Sequence, residues 1–279
     1  MIKLFEYQNP SWGTAFKRIS KAFHDYSPSN IQWKEYAGSA DVVMVHVVGT
    51  GEIPIIEKVL KAGKKIIIVA HIYRTGGNID WETLLPEAIL SVSFHDFKSY
   101  FPNLNCNFYS TPWGVDNTII YDMNIPKTRK ILSTGYVADT ECLDKLYQAC
   151  VNTNNFMYHT GKNFEFGEKY VHIPWLNDQG FNTMLNSVQY TSCLRDIEGF
   201  EMMGAEGLFC GARPIVPDLP TYDWYEDFGY YVDMQKDIVK QLEDLLLLTP
   251  PVPKEDEMQR IRELFDWKNI VPSIFERIP

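Results

Sequence analysis

Residues 195–217 read RDIEGFEMMGAEGLFCGARPIVP, a pattern of loop, buried helix, tight turn and strand. From about residue 199 to 210 the helix carries Phe200, Met202, Met203, Ala205, Leu208 and Phe209 on nearly every side, the composition of a helix covered by protein. At about 100° per residue, Glu206 falls in the arc held by Met202, Met203, Phe209 and Cys210. An ionised carboxylate in that setting requires hydrogen-bond donors. Gly204, Gly207 and Gly211 recur at spacings of three and four and bare one side of the helix to another backbone or a ligand. Glu198 stands just ahead, and with Gly199 and Phe200 it forms a helix N-terminus whose free N–H groups can receive an anion such as phosphate.

Outward from this stretch, Val- and Ile-rich runs alternate with helical patterns, the sequence form of an α/β protein with parallel sheets. A first strand at 2–7 leads through the loop 9–14, which contains Gly13, into a helix at 15–23. That loop lies at a strand's carboxyl end, where open α/β sheets bind ligands. Residues 41–48 (DVVMVHVV) and 65–70 (KIIIVA) read as strands on either side of a helix at 53–62, and the second ends at His71. His46 and His95 read as structural, since neither has a partner at ligand spacing. The second half repeats the logic, with strands at 130–136, 156–160, 170–173, 188–191, 213–216 and 230–233. Helices fall at 139–151, 178–186 and 238–248, with Asp139 and Asp178 as N-caps of the first two.

At 279 residues the chain has room for one large or two modest domains. A net charge of −10 argues against a sequence-blind grip on nucleic acid or anionic membrane, which clustered Lys and Arg provide. Five cysteines with no CxxC pair argue against a zinc site or a disulfide framework and fit a reducing cytoplasm. No apolar run reaches the roughly 18 residues of a membrane span, so no stable membrane insertion is expected.

The stretch EGFEMMGAE followed by CGARPIV resembles the signature of glycosyltransferase family 4, retaining enzymes of the GT-B fold, in which E-G-F-G, an apolar run and E-A precede G-x-P-V-V. The segment 107–116, NFYSTPWGVD, is similar to that family's V-I-P-N-G-V-D segment, and 88–93 to its short strand ending in serine. The resemblance implies two Rossmann-like domains with parallel sheets facing a central cleft. They would span residues 1–120 and 121–265, joined by a linker at 124–127, with a closing helix at 266–279 crossing back onto the first. It implies a retaining hexosyl- or other glycosyltransferase that uses a nucleotide-diphosphate sugar as donor substrate, with no metal and no further cofactor.

By the same resemblance Glu206 holds the ribose hydroxyls and Glu198 lies against the donor sugar. Amides at Gly199 and Phe200 face the diphosphate, the loop at Gly13 approaches donor and acceptor, and His71 touches the sugar. The family's arginine and lysine clamp after the first strand of the second domain is missing, because 133–141 reads STGYVADTE. Lys162 and Arg195 are the candidates to replace it, with Arg74 reaching from the other domain. The acceptor is left open among a saccharide, a lipid-linked sugar and a modified nucleic acid such as a modified base of phage DNA. A degenerate module that binds a sugar nucleotide without turnover is the alternative outside enzymes. On the residues alone, Glu198 as a helix-dipole partner and Glu206 as a structural hydrogen-bonding group also stand.

Overall fold

The computed structural model describes residues 1–9, 13–71, 79–94, 101–195 and 201–279. They form two compact units, one of Met1–Gly114 with Trp267–Pro279, the other of the described residues from Val115 to Asp266.

The first unit holds β1 (Ile2–Tyr7), α1 (Thr14–Asp25), β2 (Ile31–Trp33), β3 (Val42–Val47), α2 (Ile53–Lys61), β4 (Lys65–Ala70), α3 (Trp81–Leu84), β5 (Leu90–Ser93) and β6 (Phe108–Ser110). Its strands pair in parallel in the order β2-β1-β3-β4-β5-β6. β3 and β4 are buried along nearly their whole length, which is why they read as continuous apolar runs rather than alternating ones. Val43, Val45, Ile66 and Ile68 meet Ile56 and Trp81 in the core between sheet and helices.

The second unit holds β7 (Arg129–Gly135), α4 (Leu143–Asn152), β8 (Met157–Gly161), β9 (Tyr170–Ile173), α5 (Asp178–Ser187), β10 (Val188–Ser192), α6 (Met202–Phe209), β11 (Arg213–Pro217), β12 (Tyr230–Val232), α7 (Ile238–Leu247) and α8 (Glu255–Phe265). These strands are also all parallel, in the order β12-β11-β10-β7-β8-β9. Each unit therefore has a point where strand order reverses, between β1 and β3 in the first and between β7 and β10 in the second. Such points are where open α/β sheets receive ligands.

Several expectations are corrected. Asp139 does not cap α4: the helix starts at Leu143, after Cys142 in a left-handed conformation (φ 50°), because 136–142 is held as a turn by the Glu141 side chain. The cap of α5 is Asn177, whose side chain accepts from the Gly180 N–H at 2.8 Å, and Asp178 is already helical. Residues 121–127 are tied down rather than loose. The Tyr121 and Met123 N–H groups donate to Asn182 and Asn186 on α5, and Lys127 Nζ donates to the Cys210 carbonyl at 2.7 Å. The division between units accordingly stands after Gly114. The short β2, β6 and α3 carry too few residues for a periodicity and were not foreseen.

The last helix, α9 (Trp267–Phe275), packs into the first unit, with Trp267 near Phe94 and Phe23 at ring distances of 6.0 and 6.3 Å. Gly114 makes this possible. A Cβ there would stand 2.3 Å from the fully buried Trp267 indole. Gly114→Ala is therefore expected to lower unfolding free energy by about 1–3 kcal/mol through overpacking, read by denaturant titration; an unchanged midpoint would show that the indole can shift at no cost.

Candidate functional site

In the second unit the chain leaves β7 at Gly135 and turns sharply. The backbone N–H groups of Tyr136 and Val137 both donate to Glu141 Oε2, at 2.7 and 2.8 Å. Gly135 has φ +153°, and a Cβ on it would lie 2.0 Å from that carboxylate, so only glycine admits the contact. From the end of β10, on the other side of the order reversal, Arg195 Nη2 donates to Glu141 Oε1 at 2.9 Å, while its Nε pairs with Glu201. The result is an anion site of two converging amides and a guanidinium, filled by the chain's own carboxylate. Burial would lower the Arg195 pKa, but Glu201 and Glu141 outweigh it and keep the guanidinium charged. Burial pushes the Glu201 carboxyl up, with Arg195 opposing and Glu141 adding to the rise.

Glu206 lies on α6 and is 5% exposed, among the buried Met203, Phe209 and Cys210. The glycines of this helix do bare one side, and protein fills it. A Cβ on Gly204 would meet the Tyr225 hydroxyl at 2.2 Å and Cys193 Sγ at 3.0 Å, and one on Gly207 would meet Thr191 of β10 at 2.8 Å. The Tyr225 hydroxyl in turn donates to the Glu201 carbonyl just ahead of α6. Lys162 follows β8, its N–H bonded to the Gly135 carbonyl at 3.0 Å and its exposed ammonium 5.5 Å above the Phe164 ring. His159 of β8, three residues before Lys162, is buried with Nδ1 2.9 Å from Ser133 Oγ, and burial pushes its pKa down to about 4.

In the first unit, Gly13 is the extended residue before α1, and a Cβ on it would meet no atom of the described residues within 4 Å. His71 directly follows β4, 5% exposed, with its backbone N–H on the Val47 carbonyl. Its Nε2 lies 2.8 Å from His46 Nδ1 on β3, and His46 Nε2 lies 2.9 Å from Glu6 Oε1 on β1. The other oxygen of Glu6 accepts from Ser20 (2.6 Å) and Gln8 (2.8 Å) and meets His24 Nε2 at 3.0 Å. Burial alone would raise the Glu6 carboxyl, but hydrogen bonds from His24, His46 and Gln8 and the charge of His46 hold it well below the usual carboxylate range. His46 is thus no isolated structural histidine: it joins a buried carboxylate to His71.

No protein-family model matches the sequence, and no curated protein matches it in sequence. Solved structures do match in shape. Sucrose-phosphate synthase from Thermosynechococcus elongatus superposes with a TM-score of 0.64 at 12% identity, over 94% of this chain and 76% of that one. A glycosyltransferase involved in avilamycin A biosynthesis gives 0.65 at 11% identity, over 100% and 97%. The E. coli trehalose-6-phosphate protein bound with UDP-2-fluoro glucose gives 0.65 at 10% identity, over 99% and 97%. The fold is GT-B.

Within this GT-B chain the structure brings Arg195 to Glu141 and Glu201, places Glu206 on α6 and sets Lys162 just after β8. Glu198, Gly199, Phe200 and Arg74 lie outside the described residues. Sequence reading missed Glu6, Glu141 and Glu201. Glu141 had one available signal, an acid in the turn 133–141 where the resembling family carries cations. Among the described residues no group of His, Cys, Asp and Glu is placed to hold a metal ion, and no helix is long and apolar enough to cross a membrane.

Glu141→Ala leaves two amides and one face of a guanidinium without their acceptor, a loss of about 1–3 kcal/mol. Millimolar inorganic phosphate is expected to raise the Tm of that variant more than that of the wild type. Equal shifts would show that the amides do not form an anion site.

The His159 prediction follows from its sign. Its folded pKa lies below the unfolded 6.5, so the unfolded chain binds more protons between 6.5 and about 4, and stability falls as pH drops through that window. The loss is on the order of 2–3 kcal/mol. His159→Gln should flatten the stability profile above about pH 5, where the Glu6 carboxyl does not yet contribute; an unchanged slope would assign it to other groups.

Proposed function

We propose that the protein is a glycosyltransferase that moves a sugar from a nucleotide-diphosphate sugar to an acceptor with retention of configuration. The observation that carries this reading is the match over 99% of this chain and 97% of a protein bound with UDP-2-fluoro glucose. In this reading Glu206 takes the ribose hydroxyls, Glu198 and His71 meet the sugar, and amides at Gly199 and Phe200 face the diphosphate. Gly13 leaves room for phosphate or acceptor, and Lys162 supplies charge. Arg195, which already pairs with Glu141 and Glu201, turns its guanidinium to the diphosphate in this reading. The chemistry needed is stabilisation of a departing diphosphate and a cationic sugar, which is positioning and electrostatics. The donor is expected to bind without a divalent metal. All five cysteines are free, which accords with a cytoplasmic setting.

A thermal-shift and hydrolysis screen across sugar nucleotides, run in excess EDTA, tests this reading. One donor should bind and turn over, and NMR of the fresh product should show the donor's anomeric configuration kept. Glu206→Ala should weaken nucleotide binding about ten- to a hundred-fold, the worth of charged hydrogen bonds to the ribose. A strict need for Mg²⁺ or Mn²⁺, or an inverted product, would overturn the mechanism, and unchanged nucleotide affinity in a folded variant would overturn the role of Glu206.

A second reading, a module that binds a sugar nucleotide without turnover, draws on the Glu141 carboxylate filling the amide pair after β7. Binding without turnover by the wild type, together with tighter nucleoside diphosphate binding by Glu141→Ala, would favour it.

A further inference from the structure

Between β11 and β12 the chain runs through Pro220–Phe228, and at Glu226 the backbone takes φ 44° and ψ −127°. That conformation is close to the first central position of a type II′ turn, where glycine is the usual residue because a Cβ crowds the backbone. A glutamate there costs about five- to a hundred-fold in the equilibrium against a relaxed turn. Arg260 of α8 stands over the turn. Its Nη2 donates to Glu226 Oε2 at 2.6 Å and to Asp227 Oδ1 at 2.9 Å, and its guanidinium lies 4.7 Å from the centre of the Phe228 ring. The two acids and the arginine are about half exposed or more, a setting in which a single ion pair is worth at most about five-fold. Only together do the contacts of one planar group with three successive residues match the strain.

The turn holds Tyr225 in place. This residue is fully buried, its ring stacks at 5.5 Å on Phe265 of the same helix α8, and its hydroxyl donates to the Glu201 carbonyl at 3.0 Å. Glu201 is the N-cap residue of α6, but its carboxylate is engaged by Arg195 and makes no capping hydrogen bond to the helix. The first-turn bond from the Gly204 N–H to the same Glu201 carbonyl is long, 3.3 Å. The start of α6 is therefore fixed from outside, by Tyr225. We infer that the Glu226 turn is a strained latch, closed by Arg260, that positions Tyr225 on Glu201, so that release of Arg260 frees the first turn of α6. Glu206 follows on the same helix, so under the proposed function the latch also sets nucleotide affinity; that consequence rests on the transferase reading, and the latch does not.

Glycine and alanine at position 226 separate strain from charge, since both remove the carboxylate. Glu226→Gly should exceed Glu226→Ala about five-fold or more in the folding equilibrium constant, read by denaturant titration. An equal or reversed order would show that the turn is unstrained and overturn the inference. Hydrogen exchange at the Gly204 amide, followed by NMR in the full chain, reads the latch itself. Arg260→Ala should speed that exchange about ten-fold in the Glu226→Ala background and less than about two-fold in the Glu226→Gly background, where the turn needs no clasp. Equal acceleration in both backgrounds, or none in either, would overturn the latch and leave Arg260 an ordinary surface ion pair.

Where the wild type binds a bare nucleotide, Arg260→Ala should weaken binding about ten-fold, by the fraction of chains left with the latch closed, and adding Glu226→Gly to the same chain should restore it. Loss of affinity that Glu226→Gly does not restore would overturn the positioning role. Exchange that follows the latch in a wild type that binds no nucleotide would count against the transferase reading alone.

Discussion

A strand that ends and turns leaves backbone N–H groups with no ladder partner, and in a buried setting each must be given an acceptor. This chain meets that demand twice with a carboxylate from the following turn. After β3, Glu52 Oε2 accepts from Gly49 at 3.1 Å and Val48 at 3.3 Å, and its other oxygen accepts from Asn9 at 2.9 Å. After β7, Glu141 does the same for Tyr136 and Val137. Both turns sit at an order reversal of their sheet, so the positions a ligand would approach are shaped by acids the chain supplies itself. The desolvation of those acids is offset by the donors that converge on them.

The α6 segment shows the same economy in apolar form. Its glycines let the helix lie close on β10, with Thr191 against Gly207 and the Tyr225 hydroxyl against Gly204. Burial makes the Glu206 carboxylate conspicuous in an otherwise apolar helix.

That is why the fold and part of the site could be read in the sequence. Continuous Val and Ile runs mark strands covered on both faces, and β1, β4 and β9 stand where their residues placed them. Glu206 announced itself as a charge where the helical period allows none. The start of α4 was misplaced because a good capping residue, Asp139, was outcompeted by a side chain two residues later that bonds backward. The Glu6–His46–His71 chain was invisible for a different reason. Its members are 40 and 25 residues apart, and they meet only because strand order is β1-β3-β4, which local spacing does not encode.

The position of α9 bears on how this chain acquires its structure. Trp267 lies on Gly114 and beside Phe23 and Phe94, and Phe275 packs at 6.0 Å from Phe23, so part of the first unit's interior is contributed by residues synthesised after the whole second unit. While the ribosome is still making that second unit, the pocket awaiting the indole exposes aromatic surface. The first unit's sheet is then translated before the second unit and closed after it, and a nascent chain stalled before residue 267 would present the sticky face that chaperones recognise.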